Sequence, residues 1–348
     1  MHDCTVGWDL GGAHLKVALV DSGGRVCNAM QLPCPLWQGL QHLDSAVAQA
    51  LKNFGRAGAL HALTMTGELA DIFPNRVAGV TTLVEAMHAK LPHANLMVFA
   101  GRSGFVGVAQ AKNYAGDVAS ANWFATAELV AKHVRHGLLI DIGSTTTDLV
   151  LLNSGAVHAR GWNDQQRMVF DELIYTGVVR TPVMAIASCA PFAGEWQGLM
   201  AEQFATMADI YRLTGDLPDG ADQLPAADGG GKSMQDSARR LARMLGRDLE
   251  SSPISSWQRV AGYIADLQQN RLHQACSRLF SLGIAGDEAP LIGTGFGRFL
   301  VKRLASRFAR PYLDFSGLVA SSLNDRLWID ACASAVAVAA LAQSRVQE

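Results

Sequence analysis

The sequence predicts an α/β protein built from two similar lobes, and three observations carry that prediction. The chain has 348 residues, 49% of them hydrophobic, which is enough for about two domains that each bury a core. The segment VGWDLGGAHLKVALVDSGG, which begins at Val6, is similar to the segment LLIDIGSTTTDLVLLNSGA, which begins at Leu138. Apolar runs typical of strands also alternate with helical spacing in both halves.

The repeated phrase predicts a defined local structure. In each copy an apolar strand ends in an aspartate (Asp9 or Asp141), a turn with glycine follows, and a second apolar run ends in an Asp/Asn-Ser-Gly turn. A third strand is expected after each copy, near Arg25–Met30 and Ala156–Arg160. The wide spacing of the copies excludes a solenoid and favours two lobes that face each other.

Periodicity and turn residues predict the other elements. Helical spacing of apolar residues predicts helices over Gln38–Phe54, Thr82–Leu91, Val118–His136, Glu202–Leu213, Ser233–Leu245, Ser256–Phe280 and Trp328–Ala342. Short apolar runs predict strands at Leu60–Thr66, Asn95–Phe99 and Pro290–Gly293. Asp216–Gly231 is rich in Asp, Gly and Pro, so we expect a surface loop there.

Composition excludes several classes of function. The net charge of −2 offers no basic footprint for nucleic acid. No basic segment precedes an apolar stretch at the N-terminus, and Ile329–Gln343 is too short and too weakly apolar to span a bilayer. Six scattered cysteines without a CxxC pair argue against a structural zinc or iron–sulfur site. We therefore expect a cytoplasmic protein without nucleic-acid or membrane partners.

The two aspartate-glycine turns have the chemistry of phosphate loops. A carboxylate at the end of a strand can hold Mg²⁺ or its waters, and we assign that role to Asp9 and Asp141. The turns expose backbone N–H groups that can cradle an anion, with added help from hydroxyl groups and a lysine. The predicted phosphate-binding residues are Gly11, Gly12, Lys16, Gly143, Ser144, Thr145 and Thr146.

A third glycine-rich segment lies in PLIGTGFGRFLVKRL, from Pro290. A strand, then Gly293-x-Gly295-x-Gly297, then a helix indicates an anion-binding turn at a helix N-terminus. It is not the dinucleotide fingerprint, because the third glycine comes too early and no early βαβ unit surrounds it. GGGKS at 229–233 is not a P-loop, since Ala226 occupies the position of the required first glycine and no strand leads in.

The order DxGG, DxGS-TTT-D and GTGxG, closed by a helix of small residues, resembles the actin/hexokinase/Hsp70-like ATPase superfamily. Within it, the phrases GWDLGGAHLK, TMTGELAD, SANWFATA, DIGSTTTDL, FATMADIYRLTG and RLARMLGRD are similar to hydantoinase/oxoprolinase-related proteins of the tetrahydromethanopterin-linked C1-transfer pathway. The resemblance implies two duplicated ribonuclease-H-like lobes around a central cleft. We expect an N-terminal lobe (1–136), a C-terminal lobe with the second and third loops (137–325) and a closing helix (326–348) that packs back on the N-terminal lobe.

The same resemblance, to methanofuran-synthase-like proteins, implies a transferase in methanofuran-type cofactor biosynthesis. It would join an aminomethylfuran-methyl diphosphate to the phenol of a glutamyl-tyramine or tyrosine acceptor and release pyrophosphate. We expect Mg²⁺ as cofactor, with ATP possible but not required, and a monomer or homodimer. The alternatives are an ATP-dependent kinase, a hydantoinase/oxoprolinase-like amide hydrolase subunit, or a non-catalytic nucleotide-binding protein.

Several side chains are candidates for other roles in the site. His14 stands where many ATP-using relatives have a small hydroxyl, so it can either deprotonate the phenol or pack at the turn. Glu68 can bind a metal or an amine, act as a base, or lie in the first turn of a helix. Asn122 can face the cleft. Asp209 and Arg212 can touch the ligand or form a solvated face, and the same choice applies to the stripe Arg239, Arg240, Arg243 and Arg247.

Overall fold

Strands and helices alternate along the chain in the computed structural model, which describes residues 3–56, 58–91 and 95–347. The strands are β1 (Cys4–Leu10), β2 (His14–Asp21), β3 (Val26–Pro33), β4 (Leu60–Met65), β5 (Asn95–Phe99), β6 (Phe105–Gly107), β7 (Gly137–Ile142), β8 (Thr147–Asn153), β9 (Ala156–His158), β10 (Leu173–Ile174), β11 (Cys189–Phe192), β12 (Glu195–Gly198), β13 (Leu291–Thr294) and β14 (Tyr312–Asp314). The α-helices are α1 (Gln41–Phe54), α2 (Arg76–Lys90), α3 (Ala115–Val118), α4 (Asn122–Ala131), α5 (Asp164–Val169), α6 (Met207–Thr214), α7 (Met234–Met244), α8 (Ile254–Phe280), α9 (Arg298–Arg307), α10 (Leu327–Ala331) and α11 (Ala333–Gln347).

Two six-stranded sheets repeat one arrangement. The first has the order β3-β2-β1-β4-β5-β6, and in the second the order is β10-β8-β7-β13-β14, with β9 on β8. The strand that carries the aspartate, β1 or β7, lies between its hairpin partner and a strand from later in the chain. In the first sheet β1 runs antiparallel to β2 and parallel to β4. The predicted α/β class with a duplicated motif is confirmed.

The chain divides into two compact units, which we call the first and second units. The first unit contains Met1–Leu139, Val150–Phe170 and Leu313–Glu348. The second unit contains Ile140–Leu149 and Asp171–Tyr312. In the first unit, apolar side chains of the sheet, α1 and α2 form a continuous buried core that includes Trp8 and Phe54.

Helix α11 packs against strand β1 at very short range. A Cβ atom on Gly7 would stand 1.9 Å from the carbonyl oxygen of Ala335, so only glycine fits at this strand position. Farther along the same contact, the Thr5 hydroxyl donates to Gln343 Oε1. Almost every residue of α11 up to Ala339 is buried, and most of these are alanine or valine, which lets the backbones approach.

The predicted helix Val118–His136 is wrong in its first turn. The structure has a short helix, α3, that ends at Val118, and a separate helix, α4, that begins at Asn122. Ser120 lies between them with φ of 52°, a left-handed conformation that cannot continue an α-helix. Helical spacing of apolar residues does not reveal such a break, because the hydrophobic face continues through it.

Two other helices begin at residues that differ from the predicted ones, because N-cap residues fix their starts. Helix α2 begins at Arg76 rather than Thr82, because the Asn75 side chain accepts a hydrogen bond from the Ala78 amide. Helix α6 begins at Met207 rather than Glu202, because Thr206 takes the N-cap position and its amide donates to Asp209 Oδ2. The predicted loop over Asp216–Gly231 contains no helix or strand, as expected.

A buried ion-pair network joins α6 to α7 in the second unit. Asp209 Oδ1 accepts from Arg240 Nε at 2.9 Å and Nη2 at 2.8 Å, and from the Ser237 hydroxyl at 2.8 Å. The Arg240 side chain is only 1% exposed, and it also pairs with Asp228 and donates to the Gly231 carbonyl, both at 3.0 Å. Arg212 contributes a further pair, with Asp222 at 2.6 Å. A charge buried to this degree depends on its partners for stability.

Gly7→Ala should lower the free energy of unfolding of the first unit by about 2 to 3 kcal/mol, because the new methyl group displaces the backbone of α11. Gly116→Ala, in α3, is the matched control, since a Cβ there meets nothing within 4 Å. It should leave stability unchanged or raise it by about 0.5 kcal/mol. Urea unfolding followed by circular dichroism measures both, and equal stability of the two variants would contradict the close packing.

Asp209→Asn should destabilise the second unit by about 3 kcal/mol, because it leaves the buried Arg240 guanidinium without its main counter-charge. The control is Asp171→Asn, which weakens an exposed pair with Arg278 and should change stability by less than about 0.5 kcal/mol. Thermal unfolding compares the two. A stable Asp209→Asn protein that has lost substrate affinity would instead assign Asp209 to the ligand.

Candidate functional site

The first predicted phosphate loop is the turn between β1 and β2. Asp9 lies in β1 one residue before the strand ends, and the Gly11 amide donates to the His14 carbonyl at 2.9 Å. A Cβ on Gly11 would stand 2.8 Å from that carbonyl, so the tight turn needs a glycine. A Cβ on Gly12 would meet nothing within 4 Å. The outer side of the turn therefore has room for a bound group.

The Asp9 carboxylate is buried and incompletely satisfied. It is 2% exposed; its Oδ2 accepts from the Ser334 hydroxyl of α11 and lies 3.8 Å from Lys16 Nζ. Lys16 is opposite Asp9 in the β1–β2 ladder, which explains why the two predicted residues meet. Among the described residues, Asp9 Oδ1 has no hydrogen-bond partner. A buried, unpaired carboxylate oxygen fits a cation or the water bound to one.

The second predicted phosphate loop, in the second unit, is held by the segment around Val178 and Arg180. The Gly143 amide donates to the Thr146 carbonyl at 2.9 Å and repeats the turn of the first loop. The amide of Val178 donates to the Gly143 carbonyl at 3.1 Å, and the amide of Arg180 donates to the Ser144 carbonyl at 2.8 Å. These bonds fix the loop backbone and leave its hydroxyl side chains partly exposed.

Arg180 adds a positive charge to this loop that sequence reasoning missed. Its Nη1 donates to Thr145 Oγ1 at 3.4 Å, and Thr145 Oγ1 lies 3.3 Å from Ser144 Oγ. Burial lowers the pKa of Arg180 from its usual value, although a guanidinium stays protonated at any ordinary pH. The contact joins a cation to the hydroxyl groups predicted to hold phosphate.

The third glycine-rich turn packs directly on the second loop. Gly295 has φ of +77°, and a Cβ there would stand 2.4 Å from the Ile142 carbonyl and 2.5 Å from Asp141 Oδ1. The Gly297 amide donates to the same carbonyl at 2.9 Å. The structure thus brings Gly295 to the carboxylate of Asp141. Gly293 packs against a different group, because a Cβ atom added there would stand 2.7 Å from the Tyr312 hydroxyl.

Glu68 lies beside the first loop, in a 3₁₀ turn that follows β4. Its carboxyl is 1% exposed; Oε1 accepts from the Ser120 hydroxyl at 2.9 Å, and Oε2 has no partner among the described residues. The Ser120 hydroxyl also lies 3.3 Å from Asp164 Oδ2, which pairs with Arg76 at 2.7 Å. Burial raises the pKa of Glu68.

Asn122 takes part in the start of its own helix. Its Oδ1 accepts from the Trp123 amide at 2.8 Å. Trp123 is buried and belongs to an aromatic group with Phe124 and Trp162, and the Arg167 guanidinium lies 3.8 Å from the centre of its ring. Cation–π contact of this kind stabilises a buried arginine.

The remaining candidates of the second unit are engaged with protein groups. Asp209 and Arg212 belong to the network between α6 and α7, and the ligand role proposed for them stays a prediction. In the arginine stripe, Arg240 is buried while Arg239 pairs with Asp236 on the surface. Lys232 of the GGGKS segment donates to the carbonyls of Asp222 and Leu224, so it anchors a loop.

Clusters of metal ligands, disulfides and membrane-spanning helices are absent from residues 3–56, 58–91 and 95–347. No group of three or more His, Cys, Asp or Glu side chains there is arranged to hold a metal. A site with one carboxylate is still compatible with Mg²⁺, which usually keeps several waters and binds through substrate phosphates. The six cysteines are all free thiols. In the same part of the chain no helix has the length and apolarity required to cross a membrane.

Comparison with known proteins gives relatives along most of the chain. A protein of Methanocaldococcus jannaschii named (4-{4-[2-(gamma-L-glutamylamino)ethyl]phenoxymethyl}furan-2-yl)methanamine synthase is 31% identical over 246 residues, which are 70% of this chain and 72% of the relative. A protein of the same name from Methanococcus vannielii is 28% identical over 124 residues, 35% of this chain and 55% of the relative.

The solved structures include a nucleotide-free acetone carboxylase, with a TM-score of 0.60 at 10% identity over 98% of this chain and 70% of the other. That likeness concerns the fold alone. The predicted α/β fold built on two duplicated sheets is confirmed. The model of the hydantoinase/oxoprolinase family matches residues 59–311. The chain belongs to the hydantoinase/oxoprolinase family.

Proposed function

We propose that this chain is a transferase of methanofuran-type cofactor biosynthesis that makes an aryl ether. The observation that carries the proposal is its 31% identity to a synthase whose named product has a methanamine on furan C2 and joins the CH2 group on furan C4 to the phenol oxygen of a γ-glutamyl-tyramine. The chain is thus an enzyme that acts on small molecules. The donor is an aminomethylfuran-methyl diphosphate, and the acceptor is the phenol of a glutamyl-tyramine or of tyrosine.

The reaction is a substitution at the furanylmethyl carbon. The bond between that carbon and the diphosphate oxygen breaks, and its electron pair leaves with pyrophosphate. The phenol oxygen forms the new bond and loses its proton. The electron-rich furan stabilises the positive charge that develops on the carbon, so the protein mainly needs to stabilise the leaving group and position the acceptor.

Two glycine turns are suited to the diphosphate. In the first unit, the open side of Gly12 and the nearby Lys16 offer backbone donors and a positive charge. In the second unit, Ser144 and Thr145 offer hydroxyl groups, with Arg180 on the Thr145 hydroxyl. Thr146 and Gly295 help to hold the backbone of the second loop, and the phosphate role of Gly293 stays a prediction.

Magnesium fits the carboxylates at the strand ends. The unpaired, buried Oδ1 of Asp9 is an oxygen ligand of the kind a hard cation or its water requires, and Asp141 occupies the equivalent place in the second unit. When bound, the ion supplies positive charge that neutralises the diphosphate. ATP is not needed for this chemistry, because the donor already carries its leaving group.

The first test is mass spectrometry of a reaction with purified protein, Mg²⁺, the furanylmethyl diphosphate and a glutamyl-tyramine or tyrosine acceptor, without ATP. We expect an aryl ether together with one equivalent of pyrophosphate. Ether that forms only after ATP is added would move the enzyme to the kinase or ligase class. No ether with either acceptor, with or without ATP, would contradict the transferase.

Asp9→Asn and Asp141→Asn should each lower kcat/KM by at least about a hundredfold with the fold intact, because each removes a negative oxygen at a phosphate loop. Asp44→Asn is the control, since Asp44 makes an exposed pair with Lys90 away from the loops. It should keep normal activity. Initial rates of pyrophosphate release, with circular dichroism as a check of folding, decide the matter. Near-normal rates in both loop variants would refute the proposed site.

A further inference from the structure

The Ser120 hydroxyl lies between two buried carboxyl groups, those of Glu68 and Asp164. A serine hydroxyl carries one hydrogen, yet Ser120 Oγ lies 2.9 Å from Glu68 Oε1 and 3.3 Å from Asp164 Oδ2. It can donate to only one carboxylate at a time. Arg76 pairs with Asp164 at 2.7 Å and favours its ionised form. The group that can take an extra proton is therefore Glu68.

The charges of the cluster lead to the same assignment. Two carboxylates face a single guanidinium, and three of the four side chains are nearly inaccessible, with exposures of 1% for Glu68, 8% for Ser120 and 7% for Asp164. A buried net negative charge is costly, so a proton on one carboxyl relieves it. Glu68 also has a free oxygen, Oε2, without a partner in the described part of the chain. That oxygen is a place where a proton can arrive.

The cluster adjoins the first phosphate loop. A Cβ on Gly67 would stand 3.0 Å from the carbonyl of Leu10 and 3.3 Å from that of Gly11, so the turn that carries Glu68 lies directly on the loop backbone. The turn is close to solvent, since Leu69 is 43% exposed and Asp71 is exposed as well. The turn that carries Glu68 and the loop predicted to hold the substrate are therefore direct neighbours.

We propose that Glu68 is the proton acceptor of the site and that Ser120, a positioning residue, switches its hydroxyl between the two carboxylates. Before the reaction Glu68 is ionised and Ser120 donates to it. As the phenol oxygen of the acceptor bonds to the furanylmethyl carbon, diphosphate leaves with the electron pair of the broken bond. The proton of the phenol moves to Glu68 Oε2. Ser120 then turns to Asp164, and Glu68 later returns the proton to water.

This inference rests on the proposed reaction and predicts its pH dependence. Glu68 acts as a base only when ionised, so kcat/KM should fall as the pH drops through its raised pKa. The charged groups that act on Glu68 are Asp164 of α5, which raises its pKa, and Arg76 of α2, which lowers it; the hydrogen bond from Ser120 also lowers it. Ser120→Ala should therefore move the acidic limb of the pH profile to higher pH, and Asp164→Asn should move it to lower pH.

Glu68→Gln should lower kcat/KM by at least about a hundredfold with an ordinary phenol. The loss should shrink strongly with a fluorinated phenol that is already ionised in solution, since no base is then needed. Glu128→Gln is the matched control: Glu128, in α4 of the same unit, also has a pKa raised by burial but belongs to no such cluster. It should leave both the rate and the profile unchanged.

Two results would overturn the proposal. One is an equal loss of kcat/KM in Glu68→Gln with the ordinary and the fluorinated phenol. The other is a change of rate in Ser120→Ala and Asp164→Asn without a shift of the acidic limb of the pH profile. If wild-type protein forms no ether at any pH, the proposed function fails by itself. In that case the coupling of the Glu68 and Asp164 carboxyls is tested by the infrared band of the protonated carboxyl. The coupling is supported if the pH at which this band titrates rises in Ser120→Ala and falls in Asp164→Asn, and if the band disappears in Glu68→Gln. A titration that moves in neither variant rejects the coupling.

Discussion

The first unit depends on the close packing of helix α11 against strand β1. The two backbones meet at Gly7, where the carbonyl of Ala335 occupies the space of a side chain. This approach places Ser334 on the Asp9 carboxylate, although the two residues are 325 positions apart. The end of the chain therefore holds the aspartate of the first loop, and a helix of small residues is required because larger ones would keep the strand at a distance.

Incomplete hydrogen bonding of buried groups is concentrated around the first loop. Asp9 Oδ1, Thr64 Oγ1 and Glu68 Oε2 are buried and have no partner among the described residues. Asp9 and Thr64 are direct neighbours in the β1–β4 ladder, and Glu68 follows four residues after Thr64. Folded proteins pair nearly all such atoms, so a group of exceptions at one edge of a sheet indicates groups that bind when a ligand is present. In the second unit the Asp209–Arg240 network is closely paired, and Arg247 Nε and Gln269 Oε1 are the buried atoms without a partner among the described residues there.

Local features of this fold could be predicted from the sequence. The repeated strand–turn–strand phrase gave the positions of Asp9, Gly11, Asp141 and Gly143, because turn chemistry depends on neighbouring residues. The starts of α2 and α6 were misplaced, although their caps at Asn75 and Thr206 are visible in the sequence once the helix end is known.

Contacts between distant segments could not be predicted in this way. Arg180 reaches Thr145 from 35 positions away, and Asp164 reaches Ser120 from 44. No spacing rule connects such residues, because their meeting depends on how whole elements pack. The break at Ser120 was missed for a related reason: its left-handed backbone is maintained by tertiary contacts rather than by the preference of serine.

Ser120 also sets a limit on which residues this position can hold. A left-handed backbone costs an ordinary side chain on the order of 1 to 2 kcal/mol, and glycine avoids that cost. Glycine would preserve the bend between α3 and α4 but would remove the hydroxyl that lies between Glu68 and Asp164. Serine supplies the hydrogen-bond donor and adopts the strained left-handed backbone. In a related chain, the identity of this one residue would thus separate proteins that keep only the shape of the bend from those that keep its proton chemistry.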